Sequence, residues 1–189
     1  IDRWTELVGT AEGDTVHLTS DDEPEPVTLP LPYRDDPAAV RPAWGRYVAG
    51  VVAELDPAVG LSGLVSTTIP VGAGLSSSAA LGVAVALGVG FDGPAEELAQ
   101  VVRRSEHRAT GVPTGIMDQL CIASARAGHA TLIDCTTLAV THVRVPDDVE
   151  VVVRFVAHRT LDGSPYAERV AQCAAAEALD QAITSCKEW

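Results

Sequence analysis

The sequence contains one lysine, Lys187, beside twelve arginines. An anion bound by this chain must therefore meet Arg, backbone N–H groups, hydroxyls or a metal. A phosphate loop of the G-x-x-x-x-G-K-[ST] kind, which needs its Lys, is excluded. Cysteine is also sparse. Cys121, Cys135, Cys173 and Cys186 form no C-x-x-C pair and no Cys/His cluster with zinc-ligand spacing. They read as reduced structural thiols of a cytoplasmic protein. Long apolar runs are missing: the longest, Ala79 to Gly90, is too short and too glycine-interrupted to span a bilayer. Neither a secretory signal nor an initiator Met opens the chain, and residues upstream of Ile1 are expected. Positive charge is in deficit, with 13 bases against 26 acids and a formal net charge of −13. That balance weighs against nucleic acid or an anionic membrane surface as a partner. It is silent on oligomeric state.

What is present is ordinary for a folded soluble chain: 47% apolar and 21% charged residues over 189 positions. One domain covering 1–189 is the natural expectation, and the chain is long enough to bury a core. Thr15 to Ser20 alternates after the turn Glu12-Gly13-Asp14 and reads as a strand. Asp21 to Pro37, rich in Pro and acid, reads as a surface connection. Pro42 opens a helix whose apolar stripe is Trp44, Tyr47, Val48, Val51, Val52 and Leu55. Leu61 to Ile69 is β-prone. A helix from Pro94 carries Glu96 and Glu97 early and Arg103 and Arg104 late, the order that suits the helix dipole. Thr114 is positioned to cap the next helix. Strands are expected at His129–Asp134, Val140–Val145 and Glu150–Val156, and a final helix from Pro165. Strands and helices mix without βαβ alternation, which indicates an α+β fold with a mixed sheet packed against helices.

The most distinctive stretch is Pro70-Val71-Gly72-Ala73-Gly74-Leu75-Ser76-Ser77-Ser78-Ala79-Ala80. A strand, a glycine-rich turn and a helix start aim unpaired N–H groups, and the positive end of the dipole, at an anion. Gly72 and Gly74 remove the Cβ atoms that block close approach of a phosphate. Ser76, Ser77 and Ser78 offer hydroxyls to phosphate oxygens or to Mg²⁺, a hard cation that prefers oxygen. Taken alone, Gly-x-Gly before a helix is also a capped turn. Ser77 stands where a dinucleotide fingerprint would need its third Gly.

Two carboxylates follow at a suggestive spacing. Glu106 lies late in one helix and Asp118 early in the next, with Gly111-Val112-Pro113 between them. The chain can double back and bring both to one place. The dipole of a first helical turn favours an ionised Asp118. Such a group orients a substrate hydroxyl or accepts its proton during phosphoryl transfer. Glu106 suits a Mg²⁺ ligand facing the serines. The plainer alternative makes Asp118 a helix-start acid and pairs Glu106 with Arg103 or Arg108.

Together these stretches resemble the GHMP kinases in their galactokinase branch. The glycine–serine loop resembles the family's second signature motif. Glu106-His107 followed by Gly115-Ile116-Met117-Asp118-Gln119 resembles the segment carrying a metal-ligating Glu and the catalytic Asp. Gly128 to Cys135, and Tyr166 with Arg169 and Cys173, are similar to later segments. The likeness runs from about Trp44 to Cys173. It implies the family's amino-terminal domain, of the ribosomal-protein-S5-domain-2-like type, here incomplete. It also implies ATP- and Mg²⁺-dependent transfer to a sugar hydroxyl, galactose to galactose 1-phosphate, in a parent of which this part is inactive alone. By position, Gly72, Ala73, Gly74, Leu75, Ser76, Ser77 and Ser78 would hold the nucleotide. Ser77 or Ser78, with Glu106, would hold Mg²⁺. Asp118 would be catalytic, and Gly115, Asp118 and Tyr166 would contact the sugar. The family's first motif is expected before Ile1 and its third beyond Trp189. The run Arg154 to Arg159 departs from the small polar run usual there. Two alternatives stay open: a catalytically silent sugar- or nucleotide-binding regulator, and another GHMP kinase such as a mevalonate, homoserine or N-acetylgalactosamine kinase.

Overall fold

Alternation of buried and exposed side chains builds the main sheet. In β2 (Thr15–Ser20) Val16 and Leu18 are buried; in β3 (Val27–Pro30) Val27 and Leu29 are; in β4 (Leu61–Thr67) Leu61 and Val65 are. Val16 stands opposite Leu29 in the antiparallel β2–β3 pair and opposite Leu61 in the parallel β2–β4 pair. That register puts all six on the core face, since strand side chains alternate with period two. β1 (Thr5–Ala11) runs antiparallel to β4 at the far edge, and the strand order is β1-β4-β2-β3. The computed structural model describes residues 1–154, 156–157 and 166–186. They fall into two compact units, Ile1–Arg159 and Thr160–Trp189.

Three helices of the first unit supply the other half of its core. α1 (Gly45–Leu55) contributes Val48, Ala49, Val51 and Val52, α2 (Ser77–Gly88) contributes Val83, Val85 and Ala86, and α3 (Ala95–Thr110) contributes Leu98 and Val102. Glu96 and Glu97 stand in the first turn of α3, as expected, while the bases of its last turn are His107 and Arg108 and not the expected Arg103 and Arg104. A short α4 (Met117–Ala123) packs on α2 and α3, and a hairpin of β5 (His129–Ile133) and β6 (Val140–Arg144) follows. The second unit's described part is one helix, α5 (Tyr166–Cys186). The architecture is the expected α+β arrangement of a mixed sheet and helices.

Four expectations change. Val27–Pro30 is an edge strand, not part of a surface connection: Val27 and Leu29 fill the core, and Pro30 is tolerated because an edge strand need not donate on its outer side. β1 is an element the pattern hid, because most of its side chains are exposed. Among the described residues, Glu150–Arg154 form no strand. Val151, Val152 and Val153 are exposed and find no neighbouring strand to take their backbone groups. Cys121, Cys135 and Cys173 are free, as expected, but exposed, so they are not structural core thiols.

α1 and α3 approach closely at Gly50, where an added Cβ would strike the Ser105 carbonyl oxygen. A backbone atom cannot rotate away. A carboxylate from α1, Glu54, reaches across this contact and takes Arg104 Nε at 2.8 Å and Arg108 Nε at 2.6 Å. Gly50→Ala is therefore expected to cost about 1–3 kcal/mol through overpacking, read as a lower urea midpoint with an unchanged m-value. An unchanged midpoint would show that the helices are free to separate.

Candidate active site

The glycine–serine loop connects β4 to α2, and its backbone has an alternating hand. Gly72 (φ 74°), Gly74 (φ 73°) and Ser76 (φ 58°) are left-handed, while Ala73 and Leu75 are not. The two glycines adopt this conformation freely; Ser76 does so at a cost. Alternation of this kind turns successive N–H groups toward one concave side, the geometry of an anion nest. Ala73 N–H is tied back to the Pro70 carbonyl at 3.2 Å. Among the described residues, the N–H groups of Gly74, Leu75, Ser76, Ser77 and Ser78 have no acceptor. Ser76 occupies the N-cap of α2, yet its side chain makes no capping bond. The capped-turn alternative is thereby disfavoured, because the hydroxyl does not serve the helix end.

Glu106 is the centre of the site. It sits near the end of α3, 4% exposed, and its carboxylate accepts three side-chain hydrogen bonds from three different segments. Ser78 Oγ, in the first turn of α2, donates to Oε1 at 2.6 Å. Gln119 Nε2, in α4, donates to Oε2 at 2.6 Å. Thr114 Oγ1, in the connection between α3 and α4, donates to Oε2 at 3.3 Å. Thr114 is therefore not the cap of α4; that helix begins at Met117 after Ile116, and the Thr hydroxyl is taken by the buried carboxylate. No Arg reaches Glu106 among the described residues. Arg104 and Arg108 belong to Glu54 instead, which removes the simple ion-pair alternative for Arg108.

The cluster brings three of the expected segments together. Ser78 and Glu106 are in direct contact, and Asp118, half-buried, immediately precedes Gln119 in α4. Adjacent Cα atoms lie about 3.8 Å apart, so the Asp118-bearing turn is anchored to the serine-bearing helix through a single side chain. The Asp118 carboxylate itself makes no hydrogen bond or ion pair among the described residues. The Ser77 hydroxyl likewise makes no hydrogen bond among them. Gly115 is exposed in the α3–α4 connection, and Tyr166 is the first residue of α5, in the other unit. Gln119 is a residue that reasoning from the sequence passed over. It is 1% exposed, and its Oε1 is buried with no donor among the described residues. The signal was available: a Gln between a candidate catalytic Asp and the core residue Leu120, in a short apolar helix.

Whether a divalent cation suits this place can be judged from the donors. No group of three or more His, Cys, Asp or Glu side chains converges among the described residues, so a cage built wholly from carboxylates and imidazoles is not offered. What is offered is a buried carboxylate with neutral donors only, beside a Ser hydroxyl that donates its hydrogen bond to Glu106 and keeps its oxygen lone pairs for a cation. A buried anion without a cation is costly. Hard oxygen ligands, few in number and facing a phosphate loop, fit Mg²⁺, which keeps several waters and binds through one or two carboxylates plus substrate phosphates.

Comparison with known proteins bears on the fold and on the class of protein. Residues 46–126 match the model of the GHMP kinases N terminal domain, which spans α1, α2, α3 and α4. Over those residues the chain is similar to the GHMP kinases. Over its wider length the likeness is to galactokinases. It is 37% identical over 183 residues to a galactokinase of Bos taurus, covering 89% of this chain and 47% of that one. It is 44% identical over 157 residues to a galactokinase of Roseiflexus sp. (strain RS-1), covering 78% of this chain and 38% of that one. Its structure superposes on the Lactococcus lactis galactokinase solved with galactose, with a TM-score of 0.78 at 27% identity, over 98% of this chain and 50% of that chain. The chain spans about half the length of the curated relatives it matches. No helix among the described residues is long and apolar enough to cross a membrane.

Removing the central carboxylate should expose how much depends on it. Glu106→Ala leaves the Gln119 amide and the Ser78 hydroxyl without their acceptor, and hydrogen bonds to a charged group contribute about 1.5–3 kcal/mol each. A loss of about 2–4 kcal/mol at neutral pH is expected by urea denaturation without added metal, since each donor left buried without an acceptor costs about 1–3 kcal/mol. A variant as stable as the wild type would mean that the three donors do not depend on Glu106.

Proposed function

We propose that the parent protein of this chain transfers the terminal phosphoryl group of ATP to a sugar hydroxyl, with galactose as the sugar, and that this chain supplies the nucleotide-phosphate loop and the catalytic carboxylate of an amino-terminal kinase domain. The observation that carries the reading is the Ser78–Glu106–Gln119 chain of hydrogen bonds, which joins the glycine–serine loop to the turn bearing Asp118. The galactokinase relatives support the choice of sugar.

In this reading each residue has a defined task. The loop from Gly72 to Ser78 directs unpaired N–H groups at the phosphates of the nucleotide, helped by the positive end of α2. Glu106, with Ser78 and with Ser77 as a second candidate, holds Mg²⁺; the ion, when bound, neutralises charge on the phosphate oxygens. Asp118 accepts the proton of the attacking hydroxyl or orients it, so the oxygen faces the phosphorus while the nucleotide leaves as ADP. Gly115 contacts the sugar. A cytoplasmic location accords with the free cysteines.

Asp118→Asn keeps size and helix position and removes the basic oxygen. In the full-length parent it should lower ADP release with galactose and MgATP by about 10²–10⁴-fold, with nucleotide binding retained. Undiminished release rejects the assignment. Wild-type parent that binds nucleotide and phosphorylates no sugar would instead be a silent binding protein, and a sugar panel separates galactose from the substrates of other GHMP kinases.

A further inference from the structure

We propose that Gln119 is a positioning residue: its side-chain amide fixes the Glu106 carboxylate so that Oε1 faces Ser78, and it fastens the Asp118 turn to that carboxylate. The inference rests on the kinase reading above and extends it to a residue with no chemistry of its own. Three facts carry it. Gln119 Nε2 lies 2.6 Å from Glu106 Oε2, as short as the Ser78 contact on the other oxygen. The side chain is 1% exposed, so water cannot replace the bond. Its Oε1 has no donor among the described residues. A buried amide tolerates an orphaned oxygen when its other end is held by something stronger, here a charged acceptor. Rotating the amide to satisfy Oε1 would turn that oxygen against the carboxylate.

The consequence is geometric. A carboxylate has about four lone-pair sites. Gln119 and Thr114 both take Oε2, which leaves Oε1 for Ser78 and one further partner on the serine side. Without Gln119 the carboxylate can rotate about its last torsion, which is broad, and Oε1 is no longer directed at the loop. The effect should appear in cation affinity first. Residues that orient a ligand from behind typically change metal affinity by about ten- to hundredfold when removed.

The experiment uses the full-length parent and the variants Gln119→Met and Gln119→Asn. Met preserves volume and removes the amide. Asn is smaller, remains polar and falls short of Glu106, and it serves if the Met variant does not fold. Titration calorimetry with a non-hydrolysable ATP analogue is run across Mg²⁺ concentrations, beside the Mg²⁺ dependence of turnover. The expected result is a Mg²⁺ half-saturation raised about ten- to hundredfold, affinity for the metal-free nucleotide unchanged, and kcat at saturating Mg²⁺ largely recovered. The exchange variant Glu106→Gln with Gln119→Glu restores a carboxylate–amide pair with its ends reversed. It should recover thermal stability, which reads the structural share of the pair apart from cation binding. Wild-type Mg²⁺ dependence in a folded Gln119→Met or Gln119→Asn variant overturns the inference. Failure of the kinase reading looks different: the wild-type parent then binds nucleotide and phosphorylates no sugar, whatever Gln119 does.

Discussion

A carboxylate buried without a cation has to be held by hydrogen bonds, and Glu106 is held by three. Each comes from a different segment: α2 through Ser78, the α3–α4 connection through Thr114, and α4 through Gln119. Because α3 carries the acceptor, four pieces of chain converge on two oxygen atoms. Hydrogen bonds to charged acceptors are stronger and shorter than neutral ones, and in a site closed to water they are not exchanged for solvent. The helices are thus located by packing of Val83, Leu98 and Val102 in the core, but their relative rotation near the site is set by this anion. Packing tolerates small sliding; a convergent set of donors on one carboxylate tolerates much less.

The loop ahead of α2 gains its meaning from that arrangement. A turn with left-handed residues at 72, 74 and 76 and unpaired N–H groups is by itself only an anion-sized concavity. Here the helix that follows is fixed by Ser78 to a carboxylate, and the carboxylate is fixed to the neighbour of Asp118. An anion received by the loop would therefore lie next to an acid suited to cation binding, on a framework that also carries an acid with no partner among the described residues. Phosphoryl transfer needs those three capacities close together and needs little else from the protein beyond position and charge.

Much of this was legible in the residues, and the failures have physical causes. The loop was legible because Gly-x-Gly-x-Ser-Ser-Ser combines conformational freedom with oxygen donors in a way few other roles require. The helices were legible from their apolar period and from the charge order of α3. The edge strand Val27–Pro30 was not, because a four-residue strand with one alternation and a Pro looks like a connection until a neighbour pairs with it. The stretch Glu150–Arg154 failed in the opposite direction: β-branched residues supply propensity, and propensity does not supply a partner strand. Gln119 was overlooked since a Gln inside an apolar helix reads as surface until its contacts are known. Tyr166, expected near the sugar, lies in the other unit.

The choice for Glu106 between an arginine partner and a metal partner turns on helix geometry. Residues four apart share a face of a helix, whereas residues two apart are separated by roughly 200° around it. Arg104 and Arg108 are four apart, and both turn to Glu54 on α1. Glu106, two residues from each, must then face the other way, toward α2 and α4, where Ser78 and Gln119 meet it. The helix thus separates its charges by function: guanidinium groups lie on the α1 side, where they fasten two helices, and an anion with neutral donors lies on the loop side. An arginine in place of those donors would neutralise Glu106 permanently and leave it no capacity for a cation. In a chain whose only lysine is Lys187, a phosphate at the loop would be met by backbone amides, and the charge they cannot cancel is left for a metal that Glu106 is free to bind.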